Sequence, residues 1–203
     1  PALNRIVEWN EAMHLPEALY NIEQWMRQQE NAATKITEQI LQVNSFSHFL
    51  AVIFGIGILT GIGEEMIFRG VLQRIVQDKN HRAHVAVWIC AFLFSAIHLQ
   101  FYGFIPRLLL GAFFGYLLVW SKNLWLPIFA HLFNNSTVAC ISYFTNDKSP
   151  DNLIETVGTS GSPTSWLAGA SLIGTVILLY VLYKKVFVSK SKEFFPMEDK
   201  ITP

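Results

Sequence analysis

The chain has 203 residues, of which 52% are hydrophobic and 15% charged, with a mean hydropathy of +0.33. Fifteen basic and fifteen acidic residues cancel, so the overall balance suggests neither a nucleic-acid partner nor a polybasic lipid patch. A soluble helical protein this apolar would carry polar stripes along its helices, and the long apolar windows here lack them.

Residues 1–45 hold six of the fifteen acidic residues, along with Trp9, Leu15, Leu19, Ile22, Trp25 and Met26 at roughly helical spacing. This predicts an amphipathic juxtamembrane helical segment beside the membrane. The opening PALNRIVEWNEAMH has neither an initiator methionine nor a signal-like start, and reads as part of a longer precursor. Five largely apolar windows follow, at 46–62, 84–97, 104–120, 124–144 and 166–186, several near the roughly 20 residues that span a bilayer as helix. The fold predicted is all-α, a polytopic transmembrane helix bundle with about five membrane helices. The first helix continues past its apolar stretch into VLQRIVQDKN, whose pattern is amphipathic, so it leaves the bilayer at its far end. Residues 46–144 form the expected catalytic membrane core, 145–165 a polar extracytoplasmic loop, and 166–203 the last membrane helix and a cytoplasmic tail. Arg74, Lys79, Arg82, Lys122, Lys184, Lys185, Lys190 and Lys192 gather on one face, which makes that face cytoplasmic. An integral protein of a bacterial inner membrane is expected, with its C-terminus in the cytoplasm. Cys90 and Cys140 fall inside membrane windows and match no metal or redox spacing, so they read as buried thiols.

Ionisable groups at bilayer depth are costly and persist where they pair, face the bundle interior or serve a polar site. Glu64, Glu65 and Arg69 end the first window, His98 ends the second, and His131, Asn134 and Asn135 lie within the fourth. Residues four apart share a helix face. Arg69 can therefore neutralise Glu65 while Glu64, about 100° around the helix, faces elsewhere. His131 and Asn135 can point into one volume. A carboxylate and an imidazole sharing a water make a general base for attack on a carbonyl. A second imidazole and an amide can hold the resulting oxyanion. That division describes peptide hydrolysis within a membrane. The same four groups, Glu64, His98, His131 and Asn135, can instead be read as ligands of a divalent metal such as zinc. Asparagine is an uncommon zinc ligand and no HExxH helix is present, so no metal or other cofactor is favoured.

In these residues the chain resembles the CPBP family, which comprises CAAX prenyl endopeptidases of type 2 and bacteriocin-processing proteins and is also called the Abi family. Glu64, Glu65 and Arg69 in EEMIFR match its EExxxR motif, Phe94 and His98 in FSAIH its FxxxH, and His131 and Asn135 in HLFNN its HxxxN. The resemblance covers about residues 47–144. It implies an intramembrane endopeptidase in which the carboxylate at Glu64 and the imidazole at His98 activate water while His131 and Asn135 form the oxyanion hole. Glu65, Arg69 and Phe94 are then supporting residues. The family has been described both as metalloproteases and as metal-free glutamate proteases. The partners implied are a hydrophobic, lipid-modified or membrane-associated peptide and the lipid itself. A catalytically idle binding or immunity relative is the alternative, followed by a small proton-coupled transporter, because a carboxylate and imidazoles on facing helices also suit a proton relay.

Overall fold

A computed structural model describes residues 1–80, 82–145 and 156–188 of the chain. Residues 146–155 of the 145–165 loop and the tail beyond residue 188 lie outside the described residues, as do the side chains of Lys79, Lys190 and Lys192. Every regular element among the described residues is helical. Helix α1 covers Ala2–Glu11 and, after a short 3-10 turn at Glu17–Leu19, α2 covers Tyr20–Leu41. A helical column, α3, then runs from residue 46 to residue 80. It is α-helical at Phe46–Val52, Thr60–Glu65 and Gln73–Asn80 and π-helical at Ile53–Leu59 and Met66–Leu72. Ser45 caps its start by accepting the His48 N–H at 3.2 Å, as short hydroxyl side chains do for the unpaired first-turn amides. Helices α4 (Ala83–Ala96), α5 (Phe104–Ser121), α6 (Trp125–Thr145) and α7 (Trp166–Leu182) complete the bundle. Lys122 closes α5 in the left-handed conformation at φ 54°, its N–H on the Leu118 carbonyl. The Asn123 side chain then receives the Trp125 N–H at the start of α6.

The five apolar windows all become helices, and three stretches, Phe46–Gln77, Phe104–Ser121 and Trp166–Lys185, are long and apolar enough to cross a membrane. Helix α4 is apolar but has 14 residues, about 21 Å at 1.5 Å per residue against a hydrocarbon core of roughly 30 Å. Helix α6 has 21 residues, and His131, Asn134, Asn135, Ser136 and Thr137 dilute the apolar character of its middle. Large apolar side chains such as Phe54, Ile67, Phe92, Phe129, Phe133 and Ile177 point outward. Such a surface suits lipid rather than water. Helix α7 buries no residue and meets the rest at α1.

Small residues let the inner helices approach closely. A Cβ on Gly61 would lie 3.3 Å from the Leu132 backbone nitrogen, and one on Gly111 would lie 3.3 Å from the Ala91 Cα. The first contact draws α3 against α6 and the second α4 against α5, as small residues do in membrane bundles. Apolar packing fills the rest, with Val87, Ala91 and Ala112 at the α4–α5 seam and Leu41, Val52 and Ala139 where α2, α3 and α6 meet. Cys90 is a buried free thiol and Cys140 a half-buried one.

The amphipathic segment at 1–45 folds as two helices, α1 and α2, and what it buries is partly polar. Asn10 and Glu23 are buried, whereas Trp9, Leu19, Ile22 and Trp25 stay largely exposed. Asn4 donates to the Val157 carbonyl, and Arg5, Glu8 and Ser160 form a hydrogen-bonded cluster, so α1 is tied to the segment that leads into α7.

Candidate active site

The site is built on α3 where its α-helical stretch Thr60–Glu65 passes into the π-helical stretch Met66–Leu72, the end of α4 and the link that follows it, the first half of α5 and the middle of α6. Glu65 and Arg69 lie one turn apart on α3 and are both fully buried, with Arg69 Nη1 donating to Glu65 Oε1 at 2.7 Å. Arg69 Nη2 donates to the Gly111 carbonyl of α5 at 2.8 Å. Its guanidinium stands 4.8 Å from the Phe94 ring centre, 5.6 Å from Phe114 and 5.9 Å from Phe68, within range of cation–π attraction. A buried arginine is tolerated only when its donors and charge are met in this way. One turn on, Gln73 Nε2 repeats the pattern, donating to the Gly115 carbonyl at 3.3 Å.

His131 binds this pair from α6. Its Nδ1 lies 2.8 Å from Glu65 Oε1. A carboxylate oxygen that accepts from Arg69 can only accept again, so Nδ1 carries a proton, and Nε2 is turned towards Glu64 Oε2 at 3.7 Å. The ring stacks on Phe114 at 4.8 Å and meets the Phe94 edge at 5.9 Å. Glu65 Oε2 and Arg69 Nε remain buried with no hydrogen-bond partner among the described residues.

Glu64 occupies the next position around the helix. Its Oε1 faces His98 Nε2 at 3.9 Å. The other nitrogen of His98 donates to the Phe94 carbonyl at 2.7 Å, and since a carbonyl can only accept, the neutral ring leaves Nε2 with its lone pair towards Glu64. The 3.7 and 3.9 Å separations exceed direct hydrogen bonds and suit a water bonded to both groups. The side chains of Glu64 and His98 are 24% and 27% exposed, against 0% for Glu65. The first pair is therefore open at the protein surface and the second is not.

The structure thus brings Glu64, His98 and His131 together, with Glu65, Arg69 and Phe94 beneath them. Asn135 lies one turn beyond His131 on α6, where its Nδ2 donates to the Ile56 carbonyl at 3.2 Å and its Oδ1 accepts from Asn134 at 3.3 Å. Spacing had not revealed the His131–Glu65 bond, the carbonyls of Gly111 and Ile56, or the Phe114 ring; only Gln73, four residues after Arg69, could have been picked out by periodicity. For a metal, the donor set is poor as arranged. His98 and His131 face the same carboxylate from different helices, the Asn135 amide is turned to Ile56, and among the described residues no three His, Cys, Asp or Glu side chains are set to hold an ion.

Comparison with known proteins points to the same core. Residues 46–137 match the family described as type II CAAX prenyl endopeptidase Rce1-like. An uncharacterised protein of Bacillus subtilis (strain 168), YpbD, is 29% identical over 109 residues, 52% of this chain and 51% of that protein. The match thus spans about half the length of the curated relative. No solved structure matches the chain.

Proposed function

From the match of residues 46–137 to the Rce1-like family of type II CAAX prenyl endopeptidases, we infer that the chain is an intramembrane endopeptidase that cleaves a hydrophobic, lipid-modified or membrane-associated peptide. The observation that carries this reading is the partly exposed Glu64 carboxylate held 3.9 Å from His98 Nε2 and 3.7 Å from His131 Nε2. In the reaction, a water between Glu64 and His98 gives up a proton to this pair while its oxygen attacks the scissile carbonyl carbon. The carbonyl electrons move onto oxygen. His131 meets that oxyanion from Nε2 in its imidazolium form, Nδ1 being committed to Glu65. Asn135 meets it with the second hydrogen of Nδ2, the first being fixed on Ile56. Collapse breaks the C–N bond, and the proton held by the pair passes to the leaving amine.

The metal-free glutamate mechanism is favoured because Asn135 suits an oxyanion donor better than a ligand. The protein works in a bacterial inner membrane with its C-terminus in the cytoplasm, and residues 1–45 lie on the outer side.

The test is purified protein in detergent with a quenched fluorogenic peptide ending in a farnesylated cysteine and three residues, beside its unprenylated form. Cleavage is expected in the wild type, with Glu64→Gln lowering turnover by about 10²–10⁴-fold and leaving thermal stability unchanged. Equal signals from both proteins would favour the idle binding relative. Cleavage abolished by a chelator and restored by stoichiometric zinc would replace the glutamate mechanism with a metal-dependent one.

A further inference from the structure

His98 is the second residue of the link that joins α4 to α5, and that link is shaped from outside the matched core. Leu99 has φ 53°, a left-handed conformation that a branched side chain holds only where the surroundings impose it. The Leu99 N–H bonds back to the Ala96 carbonyl at the end of α4, and the rest of the link is met by α1 and α2. Asn10 of α1 is 4% exposed. Its Nδ2 donates to the Phe101 carbonyl at 3.1 Å, and its Oδ1 accepts from the Ile105 N–H at 2.9 Å. One side chain thereby bridges the end of the link and an unpaired first-turn amide of α5. Glu30 of α2 accepts from the Tyr102 N–H at 3.0 Å. Arg27 covers the Tyr102 ring at 4.4 Å, and Trp25 packs on Phe101 at 5.4 Å. From the core side, the link is held by the His98–Phe94 bond and by Arg107, which donates to the Gln100 side chain at 2.7 Å.

We propose that residues 1–45 are a positioning element of the site, in which Asn10 and Glu30 hold the link over residues 98–105 in the conformation that aims His98 Nε2 at Glu64. The proposal rests on the reading of Glu64 and His98 as the water-activating pair. Neither Asn10 nor Glu30 touches the reacting atoms. They act through backbone groups, and a displacement of about 1 Å at a catalytic group can cost about 10²-fold in rate.

Two measurements on the full chain in nanodiscs decide it: amide exchange over residues 99–106, and turnover of the fluorogenic farnesylated peptide. In Asn10→Ala, exchange should quicken at least about tenfold and kcat should fall about 10- to 100-fold, with KM within about threefold. Glu30→Ala should act in the same direction, while Glu30→Gln, which keeps the acceptor for the Tyr102 N–H, should recover most of both losses. Should Asn10→Ala fail to fold, the Glu30 pair carries the comparison. Unchanged exchange would overturn the proposal, and so would faster exchange with unchanged kcat. A wild-type chain that cleaves no probe defeats the endopeptidase reading separately. The positioning role is then decided by exchange and by the rate at which diethyl pyrocarbonate modifies His98, which Asn10→Ala should change at least about fivefold and Glu30→Gln should not.

Discussion

Glu65 Oε1 receives both Arg69 Nη1 and His131 Nδ1, so a single oxygen ties α3 to α6, and Arg69 extends the tie to α5 through Gly111. Removing the cation leaves a carboxylate with no exposure and only His131 to answer it. Arg69→Ala should therefore cost about 3–5 kcal/mol, the usual penalty for breaking a buried ion pair, read as lost folded yield and a lower melting temperature in detergent. Arg69→Lys should restore little, because a single ammonium cannot serve Glu65 and Gly111 as the planar fork does. A well-folded Arg69→Ala protein with no turnover would instead make the arginine part of the chemistry. Asn135→Ala separates two roles in the same way. An oxyanion donor should cost about 2.7–4 kcal/mol of barrier, whereas an amide that only joins α6 to Ile56 should cost about 0.5–1.5 kcal/mol of stability. The Glu65–Arg69 pair was legible in EExxxR because both partners lie on one turn. The His131–Glu65 bond was not, since it joins residues 66 apart and no local spacing encodes it.

At the level of the helices, apolar runs and their turns were readable from composition, but the two π-helical stretches of α3 were not. The Met66–Leu72 stretch contains Arg69, in keeping with the frequency of such stretches at functional sites. Close approach was also hidden in the sequence. Gly61 packs on the Leu132 backbone, next to His131, so Gly61→Ala forces the α6 backbone to give by a few tenths of an ångström. A loss of about 1–3 kcal/mol is expected from such overpacking, with turnover per folded molecule falling as His131 shifts. The docking of α1 and α2 through polar groups was likewise illegible, and it brings a pH dependence. Glu23 accepts from Arg27, the Leu15 N–H and His14, and these bonds, Arg27 foremost, lower its pKa from 4.5 to about 2. A lowered carboxylate stabilises the fold above its ordinary pKa and loses that contribution as pH falls from about 4.5 towards 2. Glu30 runs the other way. Burial raises its pKa despite the Tyr102 N–H, so acidification through that raised value strengthens the docking. Corrected for the intrinsic pH dependence of exchange, the protection of α2 amides should thus fall only below about pH 4.5, and Glu23→Gln should flatten that fall.

For the molecule as a whole, the contacts of Asn10 and Glu30 put α1 and α2 at the end of the bundle where α4 meets α5. The opposite end carries Arg74 and Lys122, which share a surface pocket of about 330 Å³ with Gln77, Leu118 and Val119. Lys184 and Lys185 lie at the end of the last apolar span. Basic residues in short loops are retained on the cytoplasmic side, and this asymmetry supports the proposed orientation with residues 1–45 outside. In that proposed orientation an odd number of crossings would carry the chain to a cytoplasmic C-terminus. The short α4 need not break the count, since a bilayer thins locally for a short span at fractions of a kcal/mol per Å. Single cysteines test the arrangement in a background of Cys90→Ala and Cys140→Ala, which removes both native thiols. A membrane-impermeant maleimide added to intact cells should label Gln28→Cys on exposed α2 and spare Lys122→Cys and Lys184→Cys. In inverted vesicles the pattern should reverse. Labelling of Lys122→Cys from outside would invert the orientation, and would put the His98 link and its α1–α2 support on the cytoplasmic side, where a substrate would have to arrive from the cytosol.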